Sequence, residues 1–149
     1  MTTLFLTPPP DFCPRVWVAG CYCEFEDKIL ILKRSPHKLQ GDTWGIPGGK
    51  LDEGETPRTA VIREVFEEVG IRINEDKLEE IDEMYIRGPQ MDYIFYRFRV
   101  RFVTLPVIDL SLDEHVEAAW LTIEEAIKLP LIYGGVEALL SYQKFTMKG

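Results

Sequence analysis

The sequence has few of the features that mark secreted, membrane-spanning or nucleic-acid-binding proteins. It holds three cysteines, Cys13, Cys21 and Cys23, and no Cys-x-x-Cys pair. An odd count leaves at least one thiol unpaired, and Cys21 and Cys23 would share one face of a strand, so we expect free thiols in a reducing, cytoplasmic setting. No apolar run approaches the ~18 residues of a membrane span. The proline-rich N-terminus is not typical of a signal peptide.

Positive charge is also scarce. The chain has 17 lysines and arginines against 25 aspartates and glutamates, a net charge of −8. An acidic chain of this kind is poorly suited to non-specific binding of DNA or anionic membranes. It would suit a polyphosphate ligand only with divalent cations present to neutralise both partners.

The composition is that of a folded domain, because 46% of the 149 residues are hydrophobic. Four prolines within residues 1–14 predict an irregular N-terminal arm. From residue 15 to residue 149, β-rich and helical segments interleave, which predicts a single α/β domain with a mixed sheet between helices. Predicted strands cover residues 15–25, 28–34, 78–87, 93–103 and 117–121, and predicted helices begin at residues 56, 122 and 135.

The helix that begins at Thr56 carries a cluster of carboxylates. Thr56 is typical of an N-cap with proline in the next position, and Gly70 is typical of a C-cap. Glu64, Glu67 and Glu68 follow an i, i+3, i+4 spacing and therefore share one face of the helix. Crowded carboxylates repel one another unless a cation lies among them, and oxygen-rich clusters suit Mg²⁺ or Mn²⁺. A solvated acidic face is the alternative interpretation.

These residues lie within a longer motif that resembles the Nudix box, Gly-x5-Glu-x7-Arg-Glu-U-x-Glu-Glu-x-Gly-U, where U is aliphatic. A chance match is on the order of 10⁻⁹ per start position at ordinary residue frequencies. Every defined position is filled, by Gly49, Glu55, Arg63, Glu64, Val65, Glu67, Glu68, Gly70 and Ile71.

The resemblance implies a Nudix-type α/β/α sandwich and a metal-dependent pyrophosphohydrolase that acts on a nucleoside diphosphate linked to another group. It implies Glu64 and Glu68 as the main ligands of Mg²⁺ or Mn²⁺, with Glu67 direct or water-bridged and the carbonyl of Gly49 as a further ligand. Arg63 is expected to hold a neighbouring carboxylate in place, and Glu55 is its natural partner.

A second acidic segment precedes the strand at residues 117–121. Nudix domains often place an acidic loop residue at this point, so Glu114 is a candidate metal ligand or general base alongside Glu64. Its neighbour His115 could titrate near neutrality, although a lone loop histidine is more often incidental. A polar surface loop is the alternative for the whole segment.

Substrate contacts are less well marked. Trp44 and Tyr93 could stack on a base, with core packing as the alternative for each, and Arg34 is a third candidate. The expected partner is a small-molecule nucleotide, either a nucleoside triphosphate or an ADP-ribose-like compound, and a homodimer is left open. Two other functions remain: a Nudix domain that senses a nucleotide without turnover, and an isomerase of isopentenyl diphosphate, which would need an active-site cysteine.

Overall fold

Eight strands form one sheet in the computed structural model, which describes residues 3–148. Three helices and a short 3-10 helix at Glu75–Lys77 accompany them. Within the described range, no helix is long and apolar enough to cross a membrane. The strands are β1 Thr3–Phe5, β2 Pro14–Phe25, β3 Lys28–Arg34, β4 Trp44–Gly45, β5 Gly48–Lys50, β6 Glu79–Arg87, β7 Asp92–Phe102 and β8 His115–Leu121, and the helices are α1 Pro57–Val69, α2 Ile123–Ala126 and α3 Gly135–Lys148.

The sheet is mixed. Its order is β1-β6-β7-β2-β3-β4, with β5 paired to β2 and β8 paired to β3. The long strands β2 and β7 run parallel from Pro14 and Asp92 to Phe25 and Phe102, and the other pairs are antiparallel. This arrangement confirms the predicted mixed sheet.

Helices cover both faces of the sheet. Successive residues of a strand point to opposite faces, and in β3 Leu30 and Leu32 pack in the core beneath α1 while Ile29 and Ile31 pack beneath α2 and α3. On the second face, Tyr142 of α3 stacks on Tyr22 with ring centroids 3.8 Å apart. The molecule is therefore the α/β/α sandwich that the sequence predicts.

Two arginines of β7, Arg97 and Arg99, are partners of acidic side chains rather than solvated groups. Arg97 is 1% exposed, and its guanidinium donates to both carboxylate oxygens of Asp82 at 2.8 and 2.7 Å and to the carbonyl of Ala138 at 3.0 Å. Arg99 is paired in the same way with Glu24. These two arginines thus bind acidic side chains of the neighbouring strands, and Arg97 also binds the backbone of α3.

The prediction of an irregular N-terminal arm is wrong at Thr3–Phe5. These residues pair with the outer edge of β6, Thr3 opposite Arg87, because an exposed strand edge offers unpaired backbone groups that a nearby segment can satisfy. Residues 6–13 contain no helix or strand, as predicted, and residues 1–2 lie outside the described range. Among the strands, the bounds differ most at β8, which begins two residues earlier than predicted, at His115; helix α2 is a single turn.

Candidate active site

Helix α1 holds the predicted carboxylates and has the predicted ends. The Thr56 side chain accepts a hydrogen bond from the amide of Thr59, Pro57 occupies the first turn, and Gly70 ends the helix in the left-handed conformation with φ 72°. Its apolar side is buried through residues such as Val61 and Val65. Glu68 is buried as well, at 5% exposure, so one carboxylate of the cluster lies at the edge of the core rather than in solvent.

The backbone of β5 lies directly against the carboxylates of α1. A side-chain carbon at Gly49 would come within 2.5 Å of the Glu64 carboxyl carbon, so a larger residue there would displace the Glu64 carboxylate. The amide of Gly48 donates to Oε1 of Glu68 at 2.7 Å. The glycines of the motif therefore let the strand and the acidic face of the helix meet.

Arg63 organises the outer part of the cluster. Its Nε and Nη2 atoms donate to the two oxygens of Glu55, both at 2.8 Å, which is the expected contact. Its Nη1 donates to Glu64 at 2.8 Å and to Glu67 at 3.2 Å. The hydrogen bonds from Arg63 lower the pKa of Glu55 to about 2. Arg63 thus holds three carboxylates of the motif in one arrangement.

The segment between β7 and β8 docks on the end of α1. The amide of Asp109 donates to the carbonyl of Val69 at 2.9 Å, and the amide of Ser111 donates to the carbonyl of Glu68 at 2.8 Å. Both carbonyls belong to the last turn of the helix, where no intrahelical partner is available. These bonds bring the second acidic segment, with Glu114, beside Glu68.

A β-bulge sets the direction of His115. In the pairing of β3 with β8, Lys33 lies opposite Glu117 but Arg34 lies opposite His115, so Val116 is an extra residue. Residues that lie opposite each other point to the same face of the sheet. Arg34 is on the same face of β3 as Leu30 and Leu32, which pack beneath α1, so His115 also points toward α1. Without the bulge, His115 would point to the other face.

A cavity of about 320 Å³ lies where α1 meets this segment. Among the residues that the structure describes, the metal-ligating atoms of Glu68, Glu114 and His115 all lie within 4.8 Å of one another. Glu64 and Glu67 also line the cavity, but Arg63 holds their carboxylates. The lining residues are Glu64, Glu67, Glu68, Ser111, Asp113, Glu114 and His115.

The electrostatics of the cavity are unfavourable without a cation. Burial, and then repulsion from Glu64 and Glu114, raise the pKa of Glu68 to about 9 against the opposing effect of the Gly48 amide. Burial also raises the pKa of Glu64. A divalent cation would offset both the burial of these carboxylates and the repulsion between their charges, so the donor set fits Mg²⁺ or Mn²⁺.

His115 is the residue of the cavity that sequence reasoning undervalued. Burial lowers its pKa, with a further contribution from the positive charge of Arg34, so its imidazole is neutral at pH 7. Its Nδ1 atom is buried, has no hydrogen-bond partner, and lies 3.6 Å from Oε2 of Glu68. That contact is therefore not an ion pair at neutral pH. The only sequence signal was the adjacency of His115 to Glu114, which is weak without knowledge of the bulge.

The structure does not bring the three candidate substrate residues into the cavity. Trp44 is 7% exposed and packs in the core beneath α2 and α3, so its indole cannot stack on a base and that interpretation is wrong. Tyr93 is half-buried, and its hydroxyl donates to the carbonyl of Tyr133 at 3.5 Å. Arg34 donates to the carbonyl of Leu39 at 2.8 Å and acts on Glu68 through its charge.

The geometry can be compared with known families. The model of the NUDIX domain family matches residues 14–140. The chain belongs to the NUDIX family. It is a Nudix hydrolase, as the motif predicted, and hydrolases of this family use divalent metals.

Several similar proteins are named for an activity, and two of them act on nucleotide compounds. The chain is 32% identical over 87 residues to an 8-oxo-dGTP diphosphatase of Proteus vulgaris. The matched region covers 58% of this chain and 67% of the relative. It is 33% identical over 106 residues to an ADP-ribose pyrophosphatase of Bacillus subtilis, which covers 70% of this chain and 56% of the relative. The chain thus spans just over half the length of the second relative.

A solved structure supports the fold. The NUDIX domain of Shewanella oneidensis NrtR, in complex with ADP ribose, superposes with a TM-score of 0.76 over 94% of each chain. Its sequence identity to this Nudix hydrolase is 16%, so the likeness establishes the shared architecture alone.

Proposed function

We propose that this Nudix hydrolase cleaves the diphosphate linkage of a nucleoside diphosphate derivative with the help of Mg²⁺ or Mn²⁺. The observation that carries the proposal is the cavity, which gathers carboxylates of the motif and the carboxylate of Glu114 around the buried Glu68. Such a site requires a cation, and a cation can in turn hold phosphate oxygens. The relatives named for 8-oxo-dGTP and ADP-ribose act on compounds that share a phosphoanhydride, which supports the same substrate class.

When bound, the cation supplies charge neutralisation for the phosphates and lowers the pKa of the attacking water. Glu68 and Glu114 would hold it, since their oxygens and His115 form the group of closely spaced donors. Hydrogen bonds from Arg63 hold the carboxylates of Glu64 and Glu67 close together. The outer carboxylates are therefore pre-positioned before substrate arrives.

Glu64 is our candidate for the general base. It lines the cavity but does not belong to the group of three closely spaced donors. Arg63 donates to its Oε1 atom, which leaves Oε2 to accept a proton. Its pKa is raised by burial, and a base whose pKa lies closer to the working pH accepts a proton more effectively. Glu114 then assists cation binding rather than proton transfer.

The two rival functions make different demands on the site. A sensing domain would bind a nucleotide and release it unchanged, and it needs no base. An isopentenyl diphosphate isomerase would need a cysteine in the cavity, but none lines it: Cys21 and Cys23 are buried, and Cys13 is exposed on the N-terminal segment. The structure thus favours hydrolysis over isomerisation.

A substrate panel tests the proposal. Nucleoside triphosphates including 8-oxo-dGTP, ADP-ribose and dinucleoside polyphosphates are incubated with the protein and Mg²⁺ or Mn²⁺ in ¹⁸O-labelled water. Mass spectrometry then identifies each product and shows which phosphorus received the labelled oxygen. Glu68→Gln is the inactive control, and Glu124→Gln, at an exposed position of α2, is the matched control. Tight binding of one compound without any labelled product would favour the sensing function.

A further inference from the structure

The Nδ1 atom of the buried His115 imidazole has no hydrogen-bond partner among the described residues. The His115 side chain is 6% exposed, and its Nδ1 atom is completely enclosed without a hydrogen bond. A buried polar atom without a partner destabilises the fold, so native proteins seldom retain one without compensation. His115 lines the cavity together with Glu68 and Glu114, and its Nδ1 lies 3.6 Å from Oε2 of Glu68, which indicates that a ligand in the cavity provides the missing partner.

The spacing of the donor atoms suits a single cation. Two ligands on opposite sides of an ion at about 2.0–2.3 Å lie roughly 4–4.6 Å apart, and adjacent ligands lie closer. The donors of Glu68, Glu114 and His115 all fall within 4.8 Å of one another, and Nδ1 of His115 lies 3.6 Å from Oε2 of Glu68. The 4.8 Å limit is slightly wider than this range, so small side-chain rotations would bring all three groups onto one ion without rearrangement of the backbone.

Two features of the fold fix the position of His115. The bulge at Val116 turns the imidazole toward α1, and the amide of Ser35 donates to the carbonyl of Glu114 at 2.8 Å, which ties the preceding residue to the end of β3. Bulges beside active sites commonly redirect a side chain in this way. A histidine with only a packing role would not require a bulge that removes it from the regular alternation of β8.

We propose that Nδ1 of His115 is a direct ligand of the divalent cation, together with the carboxylates of Glu68 and Glu114. The site then has a mixed nitrogen and oxygen donor set, rather than the all-oxygen set of the motif glutamates and the Gly49 carbonyl. Imidazole favours Mn²⁺, Co²⁺ and Zn²⁺ over Mg²⁺. The inference rests on the proposed function because the cation is the one used in hydrolysis.

Electron paramagnetic resonance of the protein with one equivalent of Mn²⁺ tests the ligand directly and needs no substrate. A coordinated imidazole couples its ¹⁴N nucleus to the manganese spin, and incorporation of ¹⁵N-labelled histidine must convert this signal to that of ¹⁵N. The sequence contains two histidines, His37 and His115. We expect the coupling to persist in His37→Gln and to vanish in His115→Gln.

The labelled wild-type protein keeps the test valid even if His115→Gln folds poorly. Absence of histidine coupling in wild-type protein that binds Mn²⁺ would overturn the proposal, as would persistence of the coupling in His115→Gln. If His115 only positioned Glu68, no nitrogen coupling would appear at all.

Metal selectivity gives a second readout. We expect His115→Gln to weaken Mn²⁺ and Co²⁺ binding by at least about 10-fold, the scale of losses at metal sites, and to change Mg²⁺ binding less. Titration calorimetry without substrate measures all three affinities. An equal loss for every ion would show that His115 acts on the shape of the site and not as a ligand. A protein that shows the coupling but hydrolyses no nucleotide would refute the proposed function and leave the ligand assignment intact.

Discussion

Glu68→Gln should stabilise the metal-free protein while it destroys activity. The substitution keeps the shape of the side chain and removes its charge. The amide oxygen of glutamine can still accept the hydrogen bond that the Gly48 amide donates to Oε1 at 2.7 Å. Its amide nitrogen would replace Oε2, which lies 3.6 Å from the unpartnered Nδ1 of His115, and a small movement would let it donate there.

The size of the effect follows from the pKa of Glu68. Its folded-state value of about 9 lies above the ordinary value of 4.5. The native protein therefore holds this proton more tightly than the unfolded chain, and stability falls as pH rises from about 4.5 to about 9. At pH 7 the cost of protonating Glu68 on folding reaches about 3 kcal/mol, at 1.36 kcal/mol for each pH unit above 4.5. Glutamine does not titrate, so the variant avoids this cost.

Thermal unfolding in EDTA measures the prediction. A gain of about 3 kcal/mol corresponds to a rise in Tm of roughly 6–12 °C for a domain of this size, and the difference between variant and wild type should grow with pH across the window from about 4.5 to about 9. Glu124→Gln, exposed on α2, should unfold like the wild type. Mn²⁺ at about 1,000 times its Kd should reverse the order, because it adds about 4.1 kcal/mol to the protein that binds it.

The reasoning fails if Glu68→Gln is no more stable than wild type in EDTA at neutral pH, or if the difference does not depend on pH. Either result would mean that Glu68 is already ionised and compensated by the protein itself. Activity provides the second half of the test. The loss of a charged ligand should lower kcat by at least ~10²-fold at saturating metal, and a near-normal kcat would show that the cluster is not catalytic.

Three further predictions concern the same site. Activity should vanish in EDTA and return with Mg²⁺ or Mn²⁺, and full turnover by metal-free protein would refute the proposed mechanism. Glu64→Gln should abolish kcat, whereas Glu114→Gln should mainly weaken metal affinity; a pH–rate profile that loses its acidic limb only in Glu114→Gln, with metal affinity unchanged, would make Glu114 the base. Glu55, whose pKa Arg63 lowers to about 2, should stabilise the fold fully above about pH 4.5 and lose this contribution as pH falls toward 2. Denaturant unfolding of wild type and Glu55→Gln should therefore converge at acid pH, and a constant difference would contradict the ion pair.

Local sequence rules were enough to predict both ends of the helix that carries the motif. Thr56, Pro57 and Gly70 mark its ends through interactions that span only a few residues, and the structure has those ends. The contact between Arg63 and Glu55 was also foreseeable, because the helix and the turn before it leave little freedom to either side chain. The mixed sheet followed from the order of strands and helices alone.

The composition of the cavity depended on contacts between distant segments. The direction of His115 is set by one extra residue, Val116, which shifts the register of β8 against β3. The alternation of residues in one strand does not reveal such a shift, because it depends on the partner strand. The docking of Ser111 on the last turn of α1 likewise brings Glu114 to Glu68 from far along the chain.

Burial was the other property that only the tertiary structure decided. Trp44 and Glu68 are both enclosed, although one is a common stacking residue and the other is normally solvated. Whether a side chain is buried depends on what the rest of the chain places over it, and no local pattern records that. The sequence by itself determined which carboxylates share a helix face. The tertiary structure determined that one of them is buried beside a neutral histidine, because that arrangement requires a helix end, a docked loop and a bulged strand to meet.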